Sequence, residues 1–334
     1  MNRKIFTIFG ALMAGALLTA GPARAADDDY PSMTIRAAHD INEAHPTHKA
    51  MVRWQKLLSD ATGGKIKMRI FPNAVLGSTD SQMAQLQEGS LDIVVLGGLS
   101  LLGKYNDEAN IELLPFLFSS NPNAMKALDG AYGKWLTEKI IKPTGFMPMC
   151  FMVNGLRNVG NNARPIVKPD DMPGLKFRVS NSAMLVEFFQ QMGATAVPMA
   201  FTEVFTALQQ GTVDGFENPA AVFNANHLDE VTKYLSLTGH SFTAYTPVMN
   251  MKKFNAYPPK VQKVLLDTAK EAAKYQRELM YQYEAQSIVD LKKRGMKVNE
   301  VDKEAFVKAV QPIWARFIAK YGREGIDLAL QSQK

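Results

Sequence analysis

Two arginines stand where an anion could be held. In "PGLKFRVSNS", residues 173 to 182, side chains alternate as a strand requires: Leu175, Phe177 and Val179 on one face, Lys176, Arg178 and Ser180 on the other. If the first face is core, Arg178 ends its strand among small polar residues. Arg157 follows "VNG" and also ends a strand. Both strands open an α/β unit, and open α/β sheets bind their ligands at such ends. A guanidinium matches a carboxylate because its planar fork gives two parallel charge-assisted hydrogen bonds. For either arginine alone, a surface charge or an interdomain ion pair is the plainer reading. Forty residues after Arg178, "GTVDGFENPAAV" sets Glu217 and Asn218 at a bend fixed by Pro219, where the Asn amide could donate to the same anion.

A second constellation is "AHDINEAHPTHKA", with His39, His45 and His48 beside Asp40 and Glu43. Imidazoles and carboxylates this close could hold zinc. Pro46 interrupts the segment, however, and the spacing matches no helical ligand pair, so loop polarity or contact with an organic ligand is the better explanation. Signatures of catalysis are missing: no G-x-S-x-G elbow, no P-loop, no G-x-G-x-x-G after a strand and no H-E-x-x-H. Asp214 and Glu217 are close in sequence but read as part of a turn, which is a weak argument for acid–base work. Cys150 is the only cysteine. It lies in the apolar run "GFMPMCFMV" and reads as a small hydrophobe without chemistry. These residues call for no metal and no cofactor, and the expectation is a binding protein rather than an enzyme.

The elements that must position these groups alternate. "MTIRAAH" reads as a strand, "THKAMVRWQKLLSDATGG" as a helix stopped by Gly63-Gly64, and "KIKMRIF" as a strand. "TDSQMAQLQEGS" reads as a helix stopped by Gly89, and "LDIVVLG" as a buried strand. That order implies a parallel sheet with helices on its faces. A polar, Gly- and Asn-rich stretch after Asn154-Gly155 suggests the first crossing into a second α/β unit, and "GHSFTAYTPVMN" would let the chain return. From Pro258 to Arg294 a helical pattern runs with no Pro or Gly beyond its opening Pro258-Pro259. One helix of that length would be a rod of about 50 Å. Two helices with a hidden break is the simpler reading of the pattern alone. A last helix is expected over "KEAFVKAVQPIWARFIAKYG".

The first 25 residues carry Arg3 and Lys4, an apolar run from Ile5 to Ala20, and Ala23-Arg24-Ala25. They read as a secretory signal peptide cleaved near Ala25, and therefore as a route to the periplasm. The formal charge of +6 falls to +3 once Arg3, Lys4 and Arg24 leave, which gives little reason to expect a nucleic-acid partner. With a single cysteine an exported chain has no internal disulfide, so packing must stabilise it. The remaining 309 of 334 residues suit two domains.

"NGLR" with Arg157, "GLKFRV" with Arg178, "PMAFTEVFTALQQGTVDGFENP" and "TGGKIKMRIFPNAVLG…QLQEGSLDIVV" together resemble one family. It is the extracytoplasmic solute receptors of tripartite ATP-independent periplasmic (TRAP) transporters, and the likeness runs through nearly all of the mature chain. The resemblance implies a two-lobed α/β periplasmic-binding-protein fold. Each lobe is a mixed or parallel sheet flanked by helices, and one long helix spans both. Residues 26–154 with 244–283 would form the first lobe, and residues 155–243 with 284–334 the second. It further implies an organic acid trapped between the lobes, delivery to integral membrane permease subunits, and a monomer. Arg178 inherits the ligand carboxylate, Arg157 a second contact and Asn218 a hydrogen bond to the same anion. Phe201 would pack on the ligand body, Glu217 would reach a hydroxyl or amine, and Tyr245 joins the ligand-contacting set. His39 and Asp40 hold the position that meets the ligand's polar end. Gly97, Gly98 and Ser100 stand where sialic-acid receptors have an acidic residue and an arginine, which argues against sialate. A sugar acid, uronate or aldonate, is therefore expected. A C4-dicarboxylate or 2-oxo acid, a zinc receptor, a periplasmic enzyme and a receptor serving a sensor are the alternatives.

Overall fold

The computed structural model describes residues 30–333; the expected signal segment lies outside them. The first half runs β1 (Met33–Ala38), α1 (Pro46–Ala61), β2 (Ile66–Phe71), α2 (Thr79–Glu88) and β3 (Ile93–Leu96). Each start and stop has a local cause. Pro46 opens α1 where a missing N–H costs nothing, and Ser78 caps α2 by accepting from the Ser81 N–H. Gly89 ends α2 at φ 84°, a left-handed conformation suited to glycine. Two 3₁₀ turns, α3 (Asn121–Asp129), α4 (Ala131–Trp135) and β4 (Phe146–Pro148) follow.

The second half holds β5 (Met152–Asn161), β6 (Lys176–Val179), α5 (Ala183–Gln191), β7 (Thr195–Pro198), α6 (Val204–Gln209), β8 (Gly215–Asn218) and α7 (Ala220–Ala225). Next come β9 (Tyr234–Asn250), α8 (Met251–Ala256), α9 (Pro259–Lys293), β10 (Lys297–Asn299), α10 (Lys303–Ala309), α11 (Gln311–Tyr321) and α12 (Glu324–Ser332). The single last helix expected from the sequence is two, broken at Val310 ahead of Pro312, with α12 beyond them.

Strand order is β2-β1-β3-β9-β5-β8-β6-β7, with β4 and β10 also on β9. β1 pairs in parallel with β2 and β3, and β6 in parallel with β7 and β8. Each parallel set is closed by an antiparallel partner, and β9 joins them: its first part pairs with β5 and β10, its last part with β3 and β4. The architecture is thus two-lobed α/β, with 17 continuous residues of β9 running from one lobe into the other.

Helix α9 is the second spanning element. Its 35 residues form one uninterrupted helix, about 50 Å long. Val261, Leu265, Ala269 and Ala272 are buried as the apolar spacing requires, and the Trp54 indole donates to Thr268 Oγ1 across 3.0 Å. Farther along, Glu284 and Ser287 meet α7. Between them sits a polar side chain in the apolar stripe. Gln276 is fully buried; its Oε1 accepts from the Val153 N–H at 2.9 Å and its Nε2 donates to the Val153 carbonyl at 2.7 Å. It supplies both hydrogen bonds that a neighbouring strand would otherwise give β5 at this point.

Replacing Gln276 with Leu would leave that backbone donor and acceptor buried and unpaired. The expected loss is about 2–4 kcal/mol of unfolding free energy, measured by urea denaturation. An unchanged midpoint would mean that water or a shifted strand replaces the amide.

Candidate ligand-binding site

A cleft enclosing about 850 Å³ of atom-free space, mouth included, is lined by Asp40, His45, Thr79, Gly97, Gly98 and Ser100 on one side. Arg178, Met199, Phe201 and Asn218 face it from the other, and Asn154, Arg157 and Tyr245 also line it. Near Asp80 the two sides touch, Asn181 Nδ2 donating to its Oδ2 at 3.1 Å.

Arg178 is 3 % exposed although it alternates away from the apolar face of β6. Its Nε and Nη2 both donate to the Met199 carbonyl, at 2.9 and 2.6 Å. That leaves the Nη1–Nη2 edge, a two-pronged donor, on the cleft wall. The Phe201 ring lies 5.9 Å from the guanidinium carbon. Burial lowers the pKa to about 10, so the group stays cationic at neutral pH.

Arg157 differs. Its Nε donates to Glu217 Oε2, its Nη2 to Glu217 Oε1 at 2.7 Å and to the Glu217 carbonyl at 3.0 Å, and its Nη1 to Thr243 Oγ1 at 3.2 Å. Of its five N–H groups, one on Nη1 is left. The expectation of a second carboxylate clamp therefore reduces to at most a single hydrogen bond. Glu217 is corrected further. It lies in β8 rather than a turn, is fully buried and does not line the cleft. Both its oxygens serve Arg157, and His240 Nε2 stands 3.4 Å from Oε2.

Two glycines make this geometry. At Gly215 a Cβ would come within 2.2 Å of the Gly160 carbonyl oxygen, so only glycine lets β8 close against β5. At Gly239, φ 53°, the register of β9 against β5 jumps between the Ser241 and Ser236 pairs. The resulting bulge is held by Asn158 Oδ1 accepting from the Gly239 N–H and brings His240 to Glu217.

The histidines divide. His39 is buried and absent from the cleft lining: Nδ1 accepts from the Ile41 N–H at 3.2 Å, and Nε2 lies 3.2 Å from His48 Nδ1. With both ring nitrogens engaged inside the protein, the expected contact to a ligand's polar end is not available. Asp40 does line the cleft, its Oδ2 accepting from Thr79 Oγ1 at 2.9 Å. Burial raises its pKa, opposed by Thr79 and by the charge of Arg178 across the cleft. His45 also lines the cleft, its ring 5.5 Å from that of Tyr245. Among the described residues no three His, Cys, Asp or Glu side chains gather as a metal would need. The sequence offers His45 only as one of a histidine cluster, as loop polarity, an organic-ligand contact or a metal ligand, and neither Asn154 nor Thr79 is singled out there. Asn154 had a signal, since it directly precedes the glycine of the arginine-bearing turn.

A family model described as bacterial extracellular solute-binding protein, family 7 (DctP), matches residues 37–321. The 2,3-diketo-L-gulonate-binding periplasmic protein YiaO of Escherichia coli K12 is 31 % identical over 314 residues, 94 % of this chain and 95 % of that one. A TRAP periplasmic solute-binding protein of Roseobacter denitrificans with bound β-D-glucuronate superposes with a TM-score of 0.84 at 30 % identity, over 89 % of this chain and 99 % of its own. One from Polaromonas sp. JS666 bound to D-erythronate gives 0.85 at 32 %, over 89 % and 98 %. No helix among the described residues is long and apolar enough to cross a membrane.

The pair of Arg157 and Glu217 makes a pH prediction. Burial alone would push the Glu217 carboxyl up, but the charge and hydrogen bonds of Arg157, with His240, bring it down to about 2. A depressed folded-state value gives stability that is present above the unfolded carboxyl value and lost as pH falls through the folded one. Wild type should lose about 3 kcal/mol between roughly pH 4.5 and 2. Glu217→Gln should show no such slope from this site. Denaturation series on both proteins measure the difference; parallel curves would remove the pair from the acid transition.

Proposed function

Because the chain belongs to the bacterial extracellular solute-binding proteins of family 7 (DctP), we propose that it captures a sugar acid, a uronate or aldonate, between its lobes. It then presents that ligand to the membrane subunits of a TRAP transporter. Solute-binding proteins of this family act as receptors rather than enzymes, outside the cytoplasm; export with cleavage near Ala25 accords with that location. The observation that carries the substrate class is the charge inventory of the cleft: one guanidinium with a free two-pronged edge, Arg178, and one, Arg157, already neutralised by Glu217. One carboxylate is therefore anchored, not two. Across the cleft, Asp40, Thr79 and Asn154 offer acceptors and donors suited to hydroxyls. A second carboxylate, as in a C4-dicarboxylate, would face the Asp40 carboxyl instead of a cation.

In this reading Arg178 takes the carboxylate end-on, Asn218 donates beside it, and Phe201 covers the carbon chain. The lobes, residues 26–154 with 244–283 and 155–243 with 284–334, close over the ligand through the spanning β9 and α9. Closure removes water, and the charge-assisted contact strengthens as the local dielectric falls. The ligand favours the closed form by binding it better, and that form is the one the permease recognises.

A thermal-shift screen of the mature chain against uronates, aldonates, dicarboxylates, 2-oxo acids, sialate and zinc tests this. We expect the sugar acids to raise the melting temperature. In Arg178→Ala their affinity should fall by about 10³-fold, or roughly 4 kcal/mol, because a buried carboxylate loses its partner. Stabilisation by dicarboxylates alone would overturn the substrate class. Stabilisation by zinc alone, reversed by chelator, would overturn the receptor reading.

A further inference from the structure

Among the described residues, nine buried side-chain polar atoms have no hydrogen-bond partner. Only two of those atoms, His45 Nε2 and Asn154 Oδ1, belong to residues that line the cleft. The two side chains are 1 % and 2 % exposed, so bulk water does not satisfy them. Native proteins rarely leave such groups unpaired unless a ligand or bound water completes them.

The character of each atom is fixed by its other end. His45 is the N-cap of α1, and its Nδ1 accepts from the Thr47 N–H at 3.2 Å. Burial, with His39 and Lys49 nearby, lowers its pKa to about 3, so the ring is neutral. A neutral imidazole that accepts at Nδ1 carries its proton on Nε2, which makes the unpaired atom a donor. Asn154 Nδ2 donates to the Gly97 carbonyl at 2.9 Å, and this orients the amide so that the unpaired Oδ1 is an acceptor. Both belong to one stretch of wall. The Tyr245 ring packs against His45, its Cε1 lies 3.7 Å from where a Cβ on Gly97 would stand, and Gly97 holds Asn154.

We infer that His45 and Asn154 form a hydroxyl-reading subsite that sets which sugar acid the cleft accepts. The inference rests on the receptor reading above. A wall with one donor and one acceptor suits a group that both donates and accepts a hydrogen bond. A second carboxylate there would satisfy His45 but oppose the Asn154 oxygen, and an ammonium would do the reverse. A hydroxyl serves both. A ligand lacking it leaves two buried polar groups unpaired, the kind of mismatch by which sites reject deoxy analogues most strongly.

The test is titration calorimetry with D-glucuronate, D-gluconate and their mono-deoxy analogues. The proteins are wild type, His45→Asn, which keeps a good helix cap, Asn154→Ala and, as a control on the parent reading, Arg178→Ala. Wild type should bind at least one parent acid and discriminate against one deoxy position by about 10²-fold or more. His45→Asn should weaken the parent acid by about 30- to 100-fold yet bind that deoxy analogue as wild type does. Melting of the ligand-free variants checks folding; if Asn154→Ala, which also releases Gly97, fails to fold, His45→Asn decides alone. Equal losses for parent and deoxy acid, or no loss, would overturn the subsite while an Arg178→Ala defect left the receptor reading standing. If wild type bound neither acid, both readings would fall together.

Discussion

The ion pair of Arg157 with Glu217 is the constraint on which the cleft depends. Neither side chain is more than 5 % exposed, and two charges leave water only at a cost of several kcal/mol each. The cost is offset because both carboxylate oxygens and four of the five guanidinium hydrogens are used, to Glu217, to its carbonyl and to Thr243. Arg157 comes from β5, Glu217 from β8 and Thr243 from β9, so the pair ties three strands at the back of the site. It also determines the electrostatics in front. With Arg157 neutralised, Arg178 is the cation whose fork faces the cleft with no carboxylate of its own. One cation free to face the cleft follows from the structural pair behind it.

The spanning elements are attached to the walls by side chains that stand in for backbone partners. Glu112 accepts from the Leu99 N–H at 2.5 Å and the Ala244 N–H at 2.8 Å, joining the turn after β3 to β9. Glu284 accepts from the N–H groups of Ala220 and Ala221, joining the first turn of α7 to α9. Burial pushes both carboxyls up to about 7, against the pull of those donors. A fully apolar strut would avoid that cost. It could not, however, satisfy the N–H groups at places where helix and sheet ladders end. Asn218 and Pro219 immediately precede the turn that Glu284 holds, so the cleft-facing end of β8 is positioned from the long helix as well as from its sheet.

Much of this was legible in the sequence, for reasons that differ by residue. Alternation in "GLKFRV" put Arg178 on the correct face, and the missing Pro and Gly between 259 and 293 allowed one long helix, because both signals are local. Arg157 showed the same local signals, but its partner lies 60 residues away on a strand whose pairing no local pattern reveals. The same blindness misplaced Glu217. His39 and His45 looked equivalent as loop histidines. What separates them is the ring nitrogen each has left: none for His39, one for His45. No element is read from the sequence between residues 97 and 150, where the segment is mostly 3₁₀ turns and helices of nine residues or fewer, too short for a period to stand out.

Polar atoms at the cleft wall and just behind it fall into two kinds, and the distinction says how such a site is built. One kind is structural and largely saturated: Arg157 at the wall, with Glu217 and the His39–His48 contact behind it, spends nearly all its hydrogen-bonding capacity on the protein. The other kind is half-spent. Arg178 uses one edge on Met199 and keeps the other, Asn154 uses its Nδ2 and keeps its Oδ1, and His45 uses Nδ1 and keeps Nε2. The bond already made fixes the direction of the one still open, so the side chain is oriented before any ligand arrives and loses little rotamer freedom on binding. In the receptor reading, that preorganisation is what lets the half-spent groups, Arg178 among them, select a ligand where the saturated ones cannot.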